Sequence, residues 1–203
     1  MPINMSTLDS QFRFRPALNG GGLRTKIYPE ATGCDFRYGE PVIFSSTGGI
    51  DSVTQIATAP SAGAASASLG AGTLIVGFAL ANATGVAGTP VPVLLCSGAE
   101  VLTRVANATT PFLNGALAEV RDVTVGDYAE LFRIKGQTGG TDVFMAVSDA
   151  PNGGDGINKA VIVEKYALNQ TSVNPALVGD QTVTDTFALV WVAIRPSLST
   201  QAK

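Results

Sequence analysis

From Gly39 onward the chain is a run of short apolar or alternating stretches, each stopped by a turn signal before it reaches helical length. Pro41-Val-Ile-Phe-Ser45 meets Thr47-Gly-Gly49, and Ile50 to Thr58 alternates imperfectly. Thr73 to Leu80 is almost continuously apolar, as a strand buried on both faces would be, with Gly77 marking a bulge or a close backbone approach. Pro90 to Cys96, Ser97-Gly98 and Ala99 to Val105 read as a hairpin, with Val101, Thr103 and Val105 on one face and Glu100, Leu102 and Arg104 on the other. Leu117 to Val125 and Tyr128 to Lys135 flank Gly126-Asp127, read as a type II′ turn with glycine first. Thr141 to Ser148, Ala160 to Leu168 and Asp185 to Arg195 follow, and Pro196 stops the last. About ten short strands with turns every 8–12 residues predict an all-β barrel- or sandwich-like domain. The small, flexible stretch 59–72 is a loop, and only 111–120 has room for a helical turn or two.

Composition limits the chemistry. The 203 residues include no histidine, which excludes Ser-His-Asp and Cys-His triads, His-ligated metals and imidazole switches. Two cysteines cannot build an all-thiolate zinc site, and Cys34 and Cys96 read as inert thiols, with Cys96 ending a buried strand. A disulfide between them is the alternative. Charged residues are 14%, the net charge is −3, and basic residues are scattered, so nucleic acid is not an expected partner. The longest apolar run, Phe187 to Ile194, falls far short of the roughly 20 residues that cross a bilayer. No membrane association is expected, and the first residues lack the basic and apolar regions of a secretory signal, which points to synthesis in a cytoplasm.

Several constellations invite a chemical reading and fail it. Asp149, Asn152, Asp155 and Asn158 suggest a calcium loop, but Pro151 and Gly153 occupy ligand positions. Thr138-Gly-Gly-Thr141 lacks the lysine and helix of a phosphate cradle. Glu119, Asp122, Asp127 and Glu130 surround a turn and are expected to face solvent rather than form a glycosidase pair. Lys159 or Lys165 with Ser148 or Ser172 has no spacing that supports a dyad. Trp191 shares a face with Phe187 and Leu189 and reads as core rather than a sugar platform. The expectation is a protein that is not an enzyme, with no catalytic, cofactor or metal site.

Residues 1–38 differ from the rest. Arg13, Arg15, Arg24, Lys26 and Arg37 outnumber Asp9, Glu30 and Asp35, and the apolar Phe12, Phe14, Leu23, Ile27, Tyr28 and Phe36 are interspersed without a usable period. Such a segment suits an extended arm lying on another surface, or an extension packed on its own domain. On the first alternative Phe12, Phe14, Ile27 and Tyr28 bury apolar area on a partner while Arg13 and Arg15 meet its carboxylates. Deleting 1–38 would then abolish binding and spare the fold.

The order Gly39-Glu-Pro-Val42, Gly48-Gly49, Ile75-Val-Gly-Phe-Ala79, Val91-Pro-Val93 and Gly98 resembles tailed-bacteriophage capsid decoration (cement, head-stabilising) proteins. The resemblance covers 39–105. It implies a small β-barrel-like lobe there; the chain's own pattern adds the arm at 1–38 and, at 106–203, a second β lobe or the completion of the same domain. It also implies a non-enzymatic protein without cofactors that binds the outer capsid surface of a virion, with the major capsid protein as partner. A homo-oligomer is implied, a trimer ahead of a dimer, bridging neighbouring shell subunits. The alternatives are another virion component (tail-tube, head-fibre or minor capsid subunit) and a carbohydrate-binding adhesin module.

Overall fold

The structure is a computed structural model that describes residues 14–17, 22–45, 51–56, 74–106, 124–129, 131–135, 143–148, 160–165 and 189–194. These residues form twelve strands and no helix: β1 (Phe14–Pro16), β2 (Thr25–Pro29), β3 (Pro41–Phe44), β4 (Val53–Gln55), β5 (Ile75–Ala79), β6 (Pro90–Leu95), β7 (Ala99–Ala106), β8 (Tyr128–Ala129), β9 (Leu131–Lys135), β10 (Val143–Ser148), β11 (Ala160–Lys165) and β12 (Leu189–Ile194). The fold is all-β, as the turn spacing predicts. A five-stranded sheet runs β2-β6-β5-β3-β4, and a seven-stranded sheet runs β8-β11-β12-β7-β10-β9 with β1 also on β7. Neither closes into a barrel, so of the two architectures expected the sandwich-like one is present. The stretch 111–120 lies outside the described residues.

Side chains from both sheets make one shared core. Ile75, Phe78, Leu94 and Cys96 of the smaller sheet meet Val101, Val105, Leu131, Ile162, Val190, Val192 and Ile194 of the larger. The opposite face of the smaller sheet is also covered. There Val42, Val53, Val76, Ala79, Val91, Val93 and Leu95 cluster with Tyr28, Cys34 and Phe36. Two buried faces explain why β5 is apolar throughout, since every residue of Ile75–Ala79 is buried. They also explain the alternation in β6, where residues 91, 93 and 95 enter one cluster and Leu94 enters the other.

Gly77 lies where the pairing of β5 with β3 shifts register, so that Val42 faces Gly77 and Ile43 faces Ile75. The bulge changes the phase of the strand, which lets Ile75 and Phe78 enter the shared core while Val76 and Ala79 face the other way. A Cβ at Gly77 would overlap the Leu94 carbonyl and stand 2.8 Å from Val93 Cγ1. The sequence reading of this glycine as bulge or close approach holds in both senses.

Prolines fall where no ladder donor is lost. In the β2–β6 pair, Arg24 accepts from Leu95 N–H (2.8 Å) and Glu30 N–H donates to Thr89 (2.8 Å). Even-numbered residues of β2 therefore point their backbone groups at β6, and Pro29 points outward. Pro92 turns its missing N–H toward the β5 side, at Leu80, just past the end of that strand. Pro16 likewise faces away from β7, because Ala17 N–H donates to Gly98 (2.9 Å) in the same register.

Two local readings are corrected. β6 and β7 do not form a hairpin: β6 pairs with β2 and β5, while β7 pairs with β1, β10 and β12. The turn at Ser97-Gly98 carries the chain from one sheet to the other, and Cys96 and Ala99 bury themselves in the shared core on either side of it. The turn read at Gly126-Asp127 centres one residue earlier. Asp127 N–H donates to the Thr124 carbonyl (3.1 Å), so Val125-Gly126 are central and Gly126, with φ of 96°, takes the type II place.

In the larger sheet β7 pairs with β12 on one side, and on the other with β1 near its start and β10 near its end. The β7–β10 contact is parallel and every other ladder is antiparallel. As expected, Val101 and Val105 face the core.

Candidate functional site

Phe12 and Arg13 lie outside the described residues. The other four residues assigned to the arm lie on β1 and β2, one strand in each sheet. Phe14 pairs with Val101 and points to the shared core, its ring 5.6 Å from Phe78 and 6.0 Å from Tyr38. Arg15, the next residue, points to the opposite face of the sheet. Its Nε donates to Glu100 Oε2 at 2.6 Å, and its Nη1 reaches Glu164 Oε2 at 2.6 Å. The guanidinium carbon stands 4.3 Å from the centre of the Trp191 ring. Burial alone would lower the Arg15 pKa, but hydrogen bonds to Glu100 and Glu164 and their charge outweigh it and raise it above the ordinary arginine value.

This arrangement draws β1, β7, β12 and β11 together across the face away from the shared core. Glu100 and Trp191 are buried there, whereas the Glu164 side chain is 52% exposed. Trp191 is buried, as read, but under Arg15 rather than in the shared core. Phe187 lies outside the described residues.

Tyr28 is buried among the residues of the smaller sheet's second face, edge-on to Phe44 at 5.4 Å. Lys26 Nζ stands 5.0 Å from its ring. Ile27 alternates to the other face and is 66% exposed, the most exposed large apolar residue among those described. Of the residues assigned to the arm and described here, Ile27 is thus the one whose side chain is mostly open to solvent. Removing 1–38 would take away β1, β2, Tyr28, Cys34 and Phe36, so that deletion disrupts both sheets and cannot separate binding from folding.

A third feature escaped the sequence reading. Glu30 is buried, and its carboxylate accepts from the Thr84 N–H (3.0 Å), the Thr84 hydroxyl (3.0 Å) and the Gly85 N–H. The Glu30 main chain also donates to Thr89 and accepts from Gly88. Glu30 therefore fastens the 82–89 loop beside the start of β6. A short carboxylate-bearing residue after Tyr-Pro carries no sequence mark of burial, because its partners lie more than fifty positions away. Next to it, a single parallel bridge joins Glu30 to Val53, and Ala31 N–H donates to the Val53 carbonyl (3.0 Å). That contact draws the outer strands of the smaller sheet toward each other without closing a ladder.

The remaining chemical candidates are placed as follows. Cys34 and Cys96 are both buried and free, in different clusters, with their thiols donating to the Val53 carbonyl (3.4 Å) and the Ile75 carbonyl (3.3 Å). Asp127 Oδ2 accepts from the Thr124 N–H (2.8 Å) and so fastens its own turn. Glu119, Asp122, Glu130, residues 138–141, 149–158, Lys159 and Ser172 lie outside the described residues. Among the described residues no three acidic or cysteine side chains converge in a way that could hold a metal ion. The surface that stands out is the outer edge of β2, where Arg24, Thr25, Lys26 and Ile27 are all exposed.

Comparison of the chain with family models, with curated proteins and with solved structures finds no match.

Proposed function

We propose that this chain is a non-enzymatic virion structural protein that binds the outer surface of a capsid and stabilises the shell by bridging neighbouring subunits. The observation that carries the reading is where the decoration-protein-like residues fall. Pro41-Val42, Ile75–Ala79 and Val91–Val93 lie on β3, β5 and β6, three adjacent strands of one sheet buried on both faces. The strand portion of the resemblance thus falls in one sheet, while Gly39 and Gly98 lie in turns beside it and Gly48-Gly49 lie outside the described residues. A protein of this kind works by burying surface, and a sandwich with open strand edges offers main-chain hydrogen bonds to a neighbour without special side chains. The major capsid protein is the proposed partner, and closed rotational symmetry, a trimer first, would cover some of those edges.

The arm takes a narrower role in this reading than the sequence suggested. Phe14 and Arg15 serve the chain's own sheets, so the contact surface centres on β2 and Ile27. The test is quantitative mass spectrometry of density-gradient-purified particles. A copy number in fixed proportion to the shell subunit supports a decoration protein. A far smaller number moves the protein to tail, fibre or portal, and absence from particles ends the virion reading.

A further inference from the structure

We propose that the outer edge of β2 is a docking edge for an extended segment of a partner protein that alternates apolar and acidic residues. The inference deepens the reading above and rests on it only in taking the partner to be a protein. Because residues 24, 26, 28 and 30 turn their backbone groups to β6, Thr25 and Ile27 turn theirs outward. β2 ends the order of its sheet, and among the described residues its outer side meets another strand only past its end, where Glu30 and Ala31 bridge Val53 of β4. Pro29 has no N–H to offer, and the parallel Glu30–Val53 bridge begins just beyond it, so the docking register ends there.

The side chains define what a partner strand must carry. Leu23 (44% exposed), Thr25 and Ile27 (66% exposed) share one face by strand alternation. Arg24 and Lys26 share the other and are both exposed. An added strand would therefore place alternate residues beside an apolar row and beside two cations. Apolar side chains suit the first, and carboxylates suit the second.

Three other open edges fit less well. β4 already receives the Ala31 N–H on its outer side, β8 is two residues long and β1 three. In the register that uses both outward-facing residues of β2, a second copy of this chain is disfavoured by charge. Antiparallel pairing of two β2 edges that matches Thr25 of each with Ile27 of the other places Lys26 opposite Lys26, and like charges directly opposite destabilise a sheet pair. The same lysine that discourages self-pairing attracts an acidic strand, so one residue gives both rejection and recognition.

The experiment uses the full-length protein and short, blocked, dye-labelled peptides that alternate valine with glutamate or valine with lysine. Fluorescence anisotropy at low salt is expected to show the glutamate peptide binding at least about tenfold more tightly than the lysine peptide, with the difference shrinking as salt screens it. Ile27→Pro removes an outward N–H and leaves the β6 ladder whole, so it should weaken binding about tenfold. Lys26→Glu should reverse the preference between the peptides, and peptide should slow amide exchange at Thr25 and Ile27. A glutamate peptide methylated on its backbone nitrogens should not bind, which tests the edge without altering the protein. Absence of binding, equal binding of both peptides, or full binding by the methylated peptide overturns the proposal. So does a wild-type dimer that Ile27→Pro converts to monomer, since the occupant is then a second copy. Peptide binding and particle copy number are separate readouts: loss of the first leaves the virion reading standing, and absence from particles leaves the docking edge standing.

Discussion

Replacing Arg15 by leucine tests whether the N-terminal strand is held by its ion pairs or merely by its backbone ladder. The variant keeps an apolar cover over Trp191 but leaves the Glu100 carboxylate, whose side chain is 5% exposed, without the guanidinium 2.6 Å away. Stranding one partner of a buried pair costs about 3–5 kcal/mol. Arg15 itself is 32% exposed, so water can reach part of the vacated space and the lower end applies, about 3 kcal/mol. Roughly 0.5–1 kcal/mol of that is the lost cation–π contact. Glu164 sits half in water, so Glu164→Gln should cost under about 1 kcal/mol. With a urea slope of about 2–3 kcal/mol per molar, the Arg15→Leu midpoint falls by about 1–1.5 M. Trp191 is the only tryptophan, so its fluorescence follows unfolding and reports from the site itself. In the Arg15→Leu background, Glu100→Gln should recover at least about 1 kcal/mol, because the amide carries no buried charge. If Arg15→Leu and Glu100→Gln simply add, within about 0.5 kcal/mol, the two side chains are uncoupled and the reasoning is refuted.

Gly77→Ala forces a methyl into the Leu94 carbonyl and should destabilise by about 3 kcal/mol, lowering Tm by roughly 6–12 °C in calorimetry. A Tm within about 2 °C of the parent would mean that the β5–β6 approach is looser than described. Glu30→Ala leaves the Thr84 and Gly85 amides without their acceptor and should cost about 2–3 kcal/mol, with amide exchange in the 82–89 loop accelerating more than in β5. Unchanged exchange at both amides would remove Glu30 from that role. Cys34 and Cys96 should react with a thiol reagent only as the chain unfolds, since both are buried and unbridged, and a disulfide in the native protein would contradict their separation into two clusters.

Particular residues show why the strands were legible and their partners were not. Val101, Thr103 and Val105 set themselves apart from Glu100, Leu102 and Arg104 by alternation alone, so the face of β7 could be read directly. The uninterrupted run around β5 carried burial on both faces, and Gly77 within it carried the bulge. Ser97-Gly98 announced a turn but not its destination, because a turn between two strands looks alike whether they pair or pass between sheets. In the first 38 residues the strands are three and five residues long, too short for a period to emerge. Ile27 and Tyr28 are equally apolar in sequence, and only pairing with β6 decides which is buried. The partners of Arg15 lie 85 positions away and farther, so its aim depends wholly on topology.

The position of β7 has a consequence for how the chain comes together during synthesis. All strands of the smaller sheet are made by Leu95, and that sheet can assemble as soon as they emerge. β7 follows at once, yet its partner β12 comes some eighty residues after it, and β10 some forty. Meanwhile β1, made long before, cannot take its place until β7 exists. For that interval the nascent chain displays a long, half-apolar strand open on one whole side, a template for pairing with chains on neighbouring ribosomes. Loop-closure entropy makes such distant pairings slow. Yield in the cell should therefore depend on temperature and on chaperone supply more steeply than the stability of the finished sandwich would suggest.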